Sequence, residues 1–198
     1  MTAPQRREQI LQEATRIIGQ RGYFGFTIQE VADSCGITQA GLLHHVGTKD
    51  QLLTAVLEAR DTRDITAITA ILHDFSTDSI GQPLAITLPD AITVLHQIVA
   101  RNAAQPDIVR LYSVLRNESL YEEHPSHDFF RERDRASLQF FGSLFAGKVA
   151  DHQSFARHLL ALMGGLEEQW LRTPDEVDLV AEWDRGIAML LDGAPRPS

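Results

Sequence analysis

The chain has 198 residues, 43% hydrophobic and 23% charged, which suits a soluble globular protein with one large domain or two small ones. No apolar run approaches the roughly 20 residues of a membrane span, and no apolar stretch follows the charged start MTAPQRREQI to make a secretory signal. With one cysteine, Cys35, an internal disulfide is excluded, and a cytoplasmic protein with no membrane partner is expected.

The net charge of −9 argues against indiscriminate nucleic-acid binding, but it is unevenly spread. Residues 1–60 balance Arg6, Arg7, Arg16, Arg21, Lys49 and Arg60 against Glu8, Glu13, Glu30, Asp33, Asp50 and Glu58. The whole acidic excess lies beyond residue 60. That asymmetry permits a nucleic-acid-facing N-terminal end on a body that phosphates repel.

In chain order, Ile10, Leu11, Ala14, Ile17 and Ile18 form one apolar stripe of a first helix, which Gly22 ends. Tyr23, Phe24 and Phe26 follow as expected core plugs. Thr27-Ile28-Gln29-Glu30 reads as a capping box opening a short helix with Ile28, Val31 and Ala32 inward. Gly36 stops it in the C′ position. After a turn at Ile37, Thr38 caps a second short helix from Gln39 to about His45, broken by Gly47. Thr48-Lys49-Asp50-Gln51 is a second capping box. It opens a long helix with Leu52, Leu53, Val56 and Leu57 on one side, continuing through Ile65, Ile68, Ile71 and Leu72 to Phe75.

A polar loop is expected from Ser76 to Gln82. Five further helices follow at about 88–104, 107–120, 126–150, 153–172 and 175–191, with breaks at Pro106 and at Thr173-Pro174. The 126–150 helix is rich in phenylalanine: Phe129, Phe130, Phe140, Phe141 and Phe145. No alternating strand pattern and no repeat is present. The expected fold is all-α with about nine helices, residues 1–50 forming a helix-turn-helix domain and residues 51–198 a ligand-binding and dimerisation bundle.

A short helix, a glycine turn and a second capped helix make a helix-turn-helix, whose second helix lies in the major groove with its N-terminal side chains at base edges. Its exposed set is Gln39, Ala40, His44 and His45. Gln39 can pair bidentately with adenine, and Ala40 can touch a thymine methyl. Gly41 costs about 1 kcal/mol of helix stability against alanine but lets backbone approach DNA. Thr27, Thr38 and the amide-rich start at Lys49 suit phosphate oxygens. Three packed helices of any small bundle share these spacings.

The stretch RREQILQEATRIIGQRGYFGFTIQEVADSCGITQAGLLHHVGTKDQLLTAVLEAR resembles, nearly gap-free, the N-terminal domain of TetR-type (tetracycline-repressor-like, TetR/AcrR) transcriptional regulators. The resemblance implies that Thr27 caps its helix and touches phosphate, that residues 38–45 read bases, and that Lys49 contacts the DNA backbone. It further implies a homodimer on a palindromic double-stranded operator, usually as a repressor, released by a small-molecule effector. Two positions depart from the family pattern. Leu43 replaces a tyrosine that commonly donates to phosphate, so it is expected to be packed, and Val46 replaces a phenylalanine.

The last two helices look like the family's dimer-forming pair. One stripe is Leu159, Met163, Leu166 and Trp170, and the other is Val180, Trp183, Ile187 and Leu191. Gly164 and Gly165 would allow close helix approach. A ligand pocket is expected among the middle helices, with His96, Asn102, Tyr112, Arg116, Glu118, Phe130, Arg133, Phe141 and Glu167 as places to look. The run from Glu122 to Asp128, with His124 and His127, has metal-ligating residue types. A solvated loop, or a helix start with Asp128 near the positive dipole end, explains it more cheaply, so no metal and no cofactor are expected. Cys35 is expected to pack rather than to sense redox state. No phosphate loop, nucleophile elbow or paired-carboxylate motif is present, so the chain is not expected to be an enzyme.

Overall fold

The computed structural model describes residues 1–75 and 86–195, which leaves the polar loop expected over 76–82 outside the described residues. Among the described residues the chain is all-α, with nine helices and no strand. They are α1 (Ala3–Gly25), α2 (Ile28–Ser34), α3 (Gln39–Val46), α4 (Lys49–His73), α5 (Leu88–Ala103), α6 (Pro106–Glu118), α7 (His127–Phe145), α8 (His152–Arg172) and α9 (Leu179–Gly193).

The chain divides into two compact units, Met1–Ile65 with Asp107–Phe130, and Thr66–Pro106 with Arg131–Ser198. In the first, a Thr2–Gln5 capping box opens α1, whose stripe Ile10, Leu11, Ala14, Ile17 and Ile18 is buried as the spacing expects. That stripe packs with Phe26, Val31, Leu42, Leu52 and Leu57 and with Leu111 and Leu115 of α6. Each such aliphatic side chain contributes about 1.5–3 kcal/mol by leaving water. At Gly19 the first helix lies so close to α6 that a Cβ would meet the Leu111 backbone nitrogen at 3.2 Å.

The second unit builds its own core on α5, α7, α8 and α9, with Val94, Leu95, Phe145, Phe155, Leu159 and Trp183 fully or nearly fully buried. Asp178 takes the Val180 and Ala181 amides at 3.1 Å, so α9 starts at Leu179 rather than near residue 175.

Several expectations change here. Phe24, two residues after the kink at Gly22, is 67% exposed and is no core plug. Ile65 is 66% exposed, and the apolar line of α4 is not continuous. Its first half, Leu52 to Leu57, packs in the first unit, whereas Ile68, Ile71, Leu72 and Phe75 pack in the second. The two terminal stripes also look different. Leu159, Met163, Trp183 and Ile187 are buried in the core of their own unit. Leu166, Trp170, Val180 and Leu191 lie half-buried against the same cluster. An amphipathic stripe marks the face that leaves water and does not say which chain covers it.

Candidate nucleic-acid interface

The helix-turn-helix is built by local hydrogen bonding. Thr27 Oγ1 accepts the Glu30 amide at 3.2 Å, and Glu30 Oε2 accepts the Thr27 amide at 3.0 Å, closing the capping box of α2. At the other end the Ile37 amide donates to Ala32 O at 3.0 Å and the Gly36 amide to Asp33 O at 3.1 Å. That pair of bonds is the Schellman pattern, with Gly36 at the C′ position and φ of 64°. Arg6 adds a long-range cap by donating to Cys35 O at 3.0 Å. Thr38 then caps α3 by accepting the Gly41 amide at 3.1 Å.

With its start fixed by Thr38, α3 turns Leu42 and Val46 into the core and leaves Thr38, Gln39, Ala40 and His44 exposed. Gly41 and His45 are half-buried, and the two histidine rings meet edge to face at 5.8 Å. Leu42, with no exposure, is the core residue of α3. Leu43 is only half-buried and stays outside the core cluster, so the expectation that it is packed there is corrected. One residue of helix is 100° of rotation, enough to move a side chain from core to rim.

At the head of α4 the expected Thr48–Gln51 capping box forms, with the Gln51 amide on Thr48 Oγ1 at 3.2 Å and the Thr48 amide on Gln51 Oε1 at 2.8 Å. Lys49 turns inward. Its Nζ donates to Phe26 O at 2.8 Å and lies 4.6 Å and 4.4 Å from the centroids of the Tyr23 and Phe26 rings. The Tyr23 hydroxyl donates to the Asp50 carboxylate. Burial, then the bond and charge of Asp50, push the Tyr23 phenol up to about 12. Sequence reasoning missed this grouping. Aromatic residues just before a helix-turn-helix and a lysine just after it were its visible trace.

A model of bacterial regulatory proteins of the tetR family matches residues 10–56, the segment that holds this geometry. Residues 10–56 are thus a tetR-family segment. TtgR, an HTH-type transcriptional regulator of Pseudomonas putida, is 24% identical over 95% of this chain and 92% of its own length. The HTH-type transcriptional repressor KstR2 of Mycolicibacterium smegmatis is 38% identical over 52 residues, 26% of this chain and 25% of that protein. That match therefore spans about a quarter of the relative. A TetR transcription regulator from Haloarcula marismortui shares the fold, with a TM-score of 0.73 at 22% identity, covering 96% of this chain and 98% of the other. The relatives that share this segment are, by their names, HTH-type transcriptional regulators.

The residues expected to line a ligand pocket fall in both units. In the first, the Tyr112 hydroxyl donates to Asp61 at 2.9 Å and its ring meets Phe130 at 5.6 Å, while the Arg60 guanidinium lies 5.3 Å from the centroid of the Tyr112 ring. Arg116 lies on the same helix, α6. In the second, Asn102 donates to Glu167 at 2.7 Å, and His96 pairs with Asp184 at 2.9 Å on an open groove of about 520 Å³ floored by Ile92, Ile187 and Leu191. Phe141 is buried core and Arg133 lies on α7.

Of the two alternatives for the run around His124, the helix start holds, with Asp128 in the first turn of α7, and the solvated loop is corrected. His124 is 3% exposed and Ser126 1% exposed. The Ser126 amide donates to His124 Nδ1 at 3.2 Å, which places the neutral ring's proton on Nε2, 3.6 Å from Glu118 Oε2. Among the described residues no group of three His, Cys, Asp or Glu side chains is arranged to hold a metal, and no helix is long and apolar enough to cross a membrane.

Proposed function

We propose that this regulator is a homodimeric repressor that binds a palindromic double-stranded operator through α3 and leaves it when a small-molecule effector binds the helical body. The observation that carries the reading is the outward set Thr38, Gln39, Ala40 and His44 on a short helix whose start is fixed by a capped Thr38. In this reading Gln39 and Ala40 meet base edges. Thr27, Thr38 and the amides heading α4 meet phosphates, and His44, His45 and Gly41 border the groove. Lys49 adds charge at the same place while bracing the turn. The acidic excess beyond residue 60 keeps the body off the DNA.

A palindrome read by a twofold dimer needs recognition helices about 34–36 Å apart. A dimer face on α8 and α9 uses the rims of the buried stripes, Leu166, Trp170, Val180 and Leu191, together with Met189, which is 70% exposed. At Gly165 on α8 a Cβ would meet nothing, which leaves room for a partner helix. Effector binding that shifts α4 would change the separation of the two α3 helices, with a coupling of about 1–3 kcal/mol. KstR2, by its name, is a repressor, which favours the same sign of regulation here. No catalytic role is proposed for the chain.

The test is selection of duplexes from a random pool by the full chain, followed by gel shifts of the selected sequence over a salt series. A palindromic consensus bound as a dimer, with affinity falling steeply as salt rises, is expected. No shift at low salt, or one insensitive to salt, would sink the reading.

A further inference from the structure

The C-terminal end of α6 and the head of α4 grip the same residue. Gly22 breaks α1 at φ of 71° and ψ of 176°, and this turns the next amide, that of Tyr23, away from the helix. Glu118, 95 positions along the chain and the last residue of α6, accepts that amide on Oε2 at 2.7 Å. A Cβ at Gly22 would collide with the Glu118 carboxylate, so the approach exists only because residue 22 is glycine. The buried His124 ring backs the arrangement, edge-on to Tyr23 at 5.1 Å and to Phe24 at 5.5 Å. From Tyr23 the connection continues at once, its hydroxyl on Asp50 and its ring under the Lys49 ammonium. Asp50 and Lys49 are in the first turn of α4.

We propose that Glu118 is a positioning residue for the DNA-binding elements: by holding the Tyr23 amide it sets the ring and hydroxyl that hold the head of α4. A charge-assisted bond to a backbone amide is among the stronger bonds a side chain makes. One residue then joins α6 to the start of α4, independently of the length of α4 itself. Motion of the last turn of α6 reaches Lys49 through one backbone amide and one aromatic ring. This gives the DNA-binding reading a second point of control and rests on that reading for its biological meaning.

The test needs no DNA, so the clamp can fail while the DNA reading stands, and the reverse. Amide hydrogen exchange is followed on the full chain for wild type, Glu118→Ala, Glu118→Asp, Glu118→Gln, Tyr23→Phe and the Glu118→Ala/Tyr23→Phe pair. Glu118→Ala should speed exchange of the Tyr23 amide by about ten-fold or more. It should also speed the Gln51 and Leu52 amides, whose acceptors are on Thr48. Glu118→Asp, which retracts the carboxylate without losing its charge, should act in the same direction and serves in its place if the alanine variant does not fold. Glu118→Gln keeps an oxygen acceptor and should stay near wild type. In the Tyr23→Phe background, Glu118→Ala should add little at residues 51 and 52, because the hydroxyl link is already gone. Acceleration confined to residues 22–25 overturns the proposal. So does an undiminished effect of Glu118→Ala on α4 in the Tyr23→Phe background, or a Glu118→Gln variant as fast as Glu118→Ala.

Discussion

Replacing Gly22 by alanine tests the kink on which the first unit depends. Gly22 has φ of 71° and ψ of 176°, a region of backbone space that side-chain-bearing residues almost never occupy. Forcing alanine there costs on the order of 1–3 kcal/mol. The new Cβ would also displace the Glu118 carboxylate, removing its 2.7 Å bond to the Tyr23 amide. A hydrogen bond to a charged group contributes about 1.5–3 kcal/mol. The two effects act at one place and combine to about 2.5–6 kcal/mol. For a chain of this length that lowers the melting temperature by roughly 5–24 °C. Urea unfolding followed by far-UV circular dichroism, with the slope compared between variants, measures it. Gly25→Ala is the control. A Cβ there would meet only the Arg21 Cβ at 3.3 Å, outside the left-handed region, so a change under about 1 kcal/mol is expected. A Gly22→Ala variant as stable as Gly25→Ala would refute the reasoning.

Three other outcomes are expected. Burial holds the His124 imidazole below the ordinary histidine range, against the pull of the Glu118 carboxylate from α6 and with His127 of α7 adding to the depression. Tyr23 and Phe24 of α1 face the ring without charge near neutral pH. The unfolded chain therefore takes up the proton first. This contribution to stability is level above about pH 6.5 and declines as pH falls through that value towards the folded pKa. His124→Gln should flatten the decline between urea titrations at pH 7.5 and pH 5.5, and an equal decline in both proteins counts against the buried neutral ring. Lys49→Met should lower stability by about 1–2 kcal/mol, since it takes the cation from over two rings and from Phe26 O. It should also weaken binding to all duplexes alike and reduce the salt slope by about one; an unchanged melting temperature would show that the ammonium does not hold the turn. Gln39→Ala should relax preference at one position of the selected operator by about 1–3 kcal/mol, read by competition with single-base variants, and a uniform loss at every position would contradict a base-edge role.

The parts legible in the sequence were those determined by neighbours within about one helical turn. Thr27 with Glu30, Thr48 with Gln51, and Gly36 after Cys35 announce their caps because donor and acceptor are three residues apart. The inward face of each helix was legible for the same reason. Contacts between distant segments left no such trace. Glu118 and Tyr23 meet across 95 positions, and His124 is buried by rings from α1, so a run rich in carboxylates and histidines read as solvated. Lys49 read as a phosphate ligand, yet its ammonium is turned to rings 23 and 26 positions upstream. Trp183 and Leu159 read as a dimer seam because their stripe is strong. Stripe strength reflects burial alone, and their own unit supplies it.

Cys35, the sole cysteine, caps the C-terminus of α2 and is 4% exposed. Burial, with Glu13 adding to it, pushes its thiol up, and Arg6 and Ser34 oppose this only in part. Few of its sulfurs are thiolate near neutral pH, and few reach solvent. The native chain is therefore close to inert towards maleimides and methanethiosulfonates without any engineering. A cysteine introduced at Ala40 on α3 would take a spin label or dye alone, and in a dimer the pair of labels would report the spacing of the recognition helices directly.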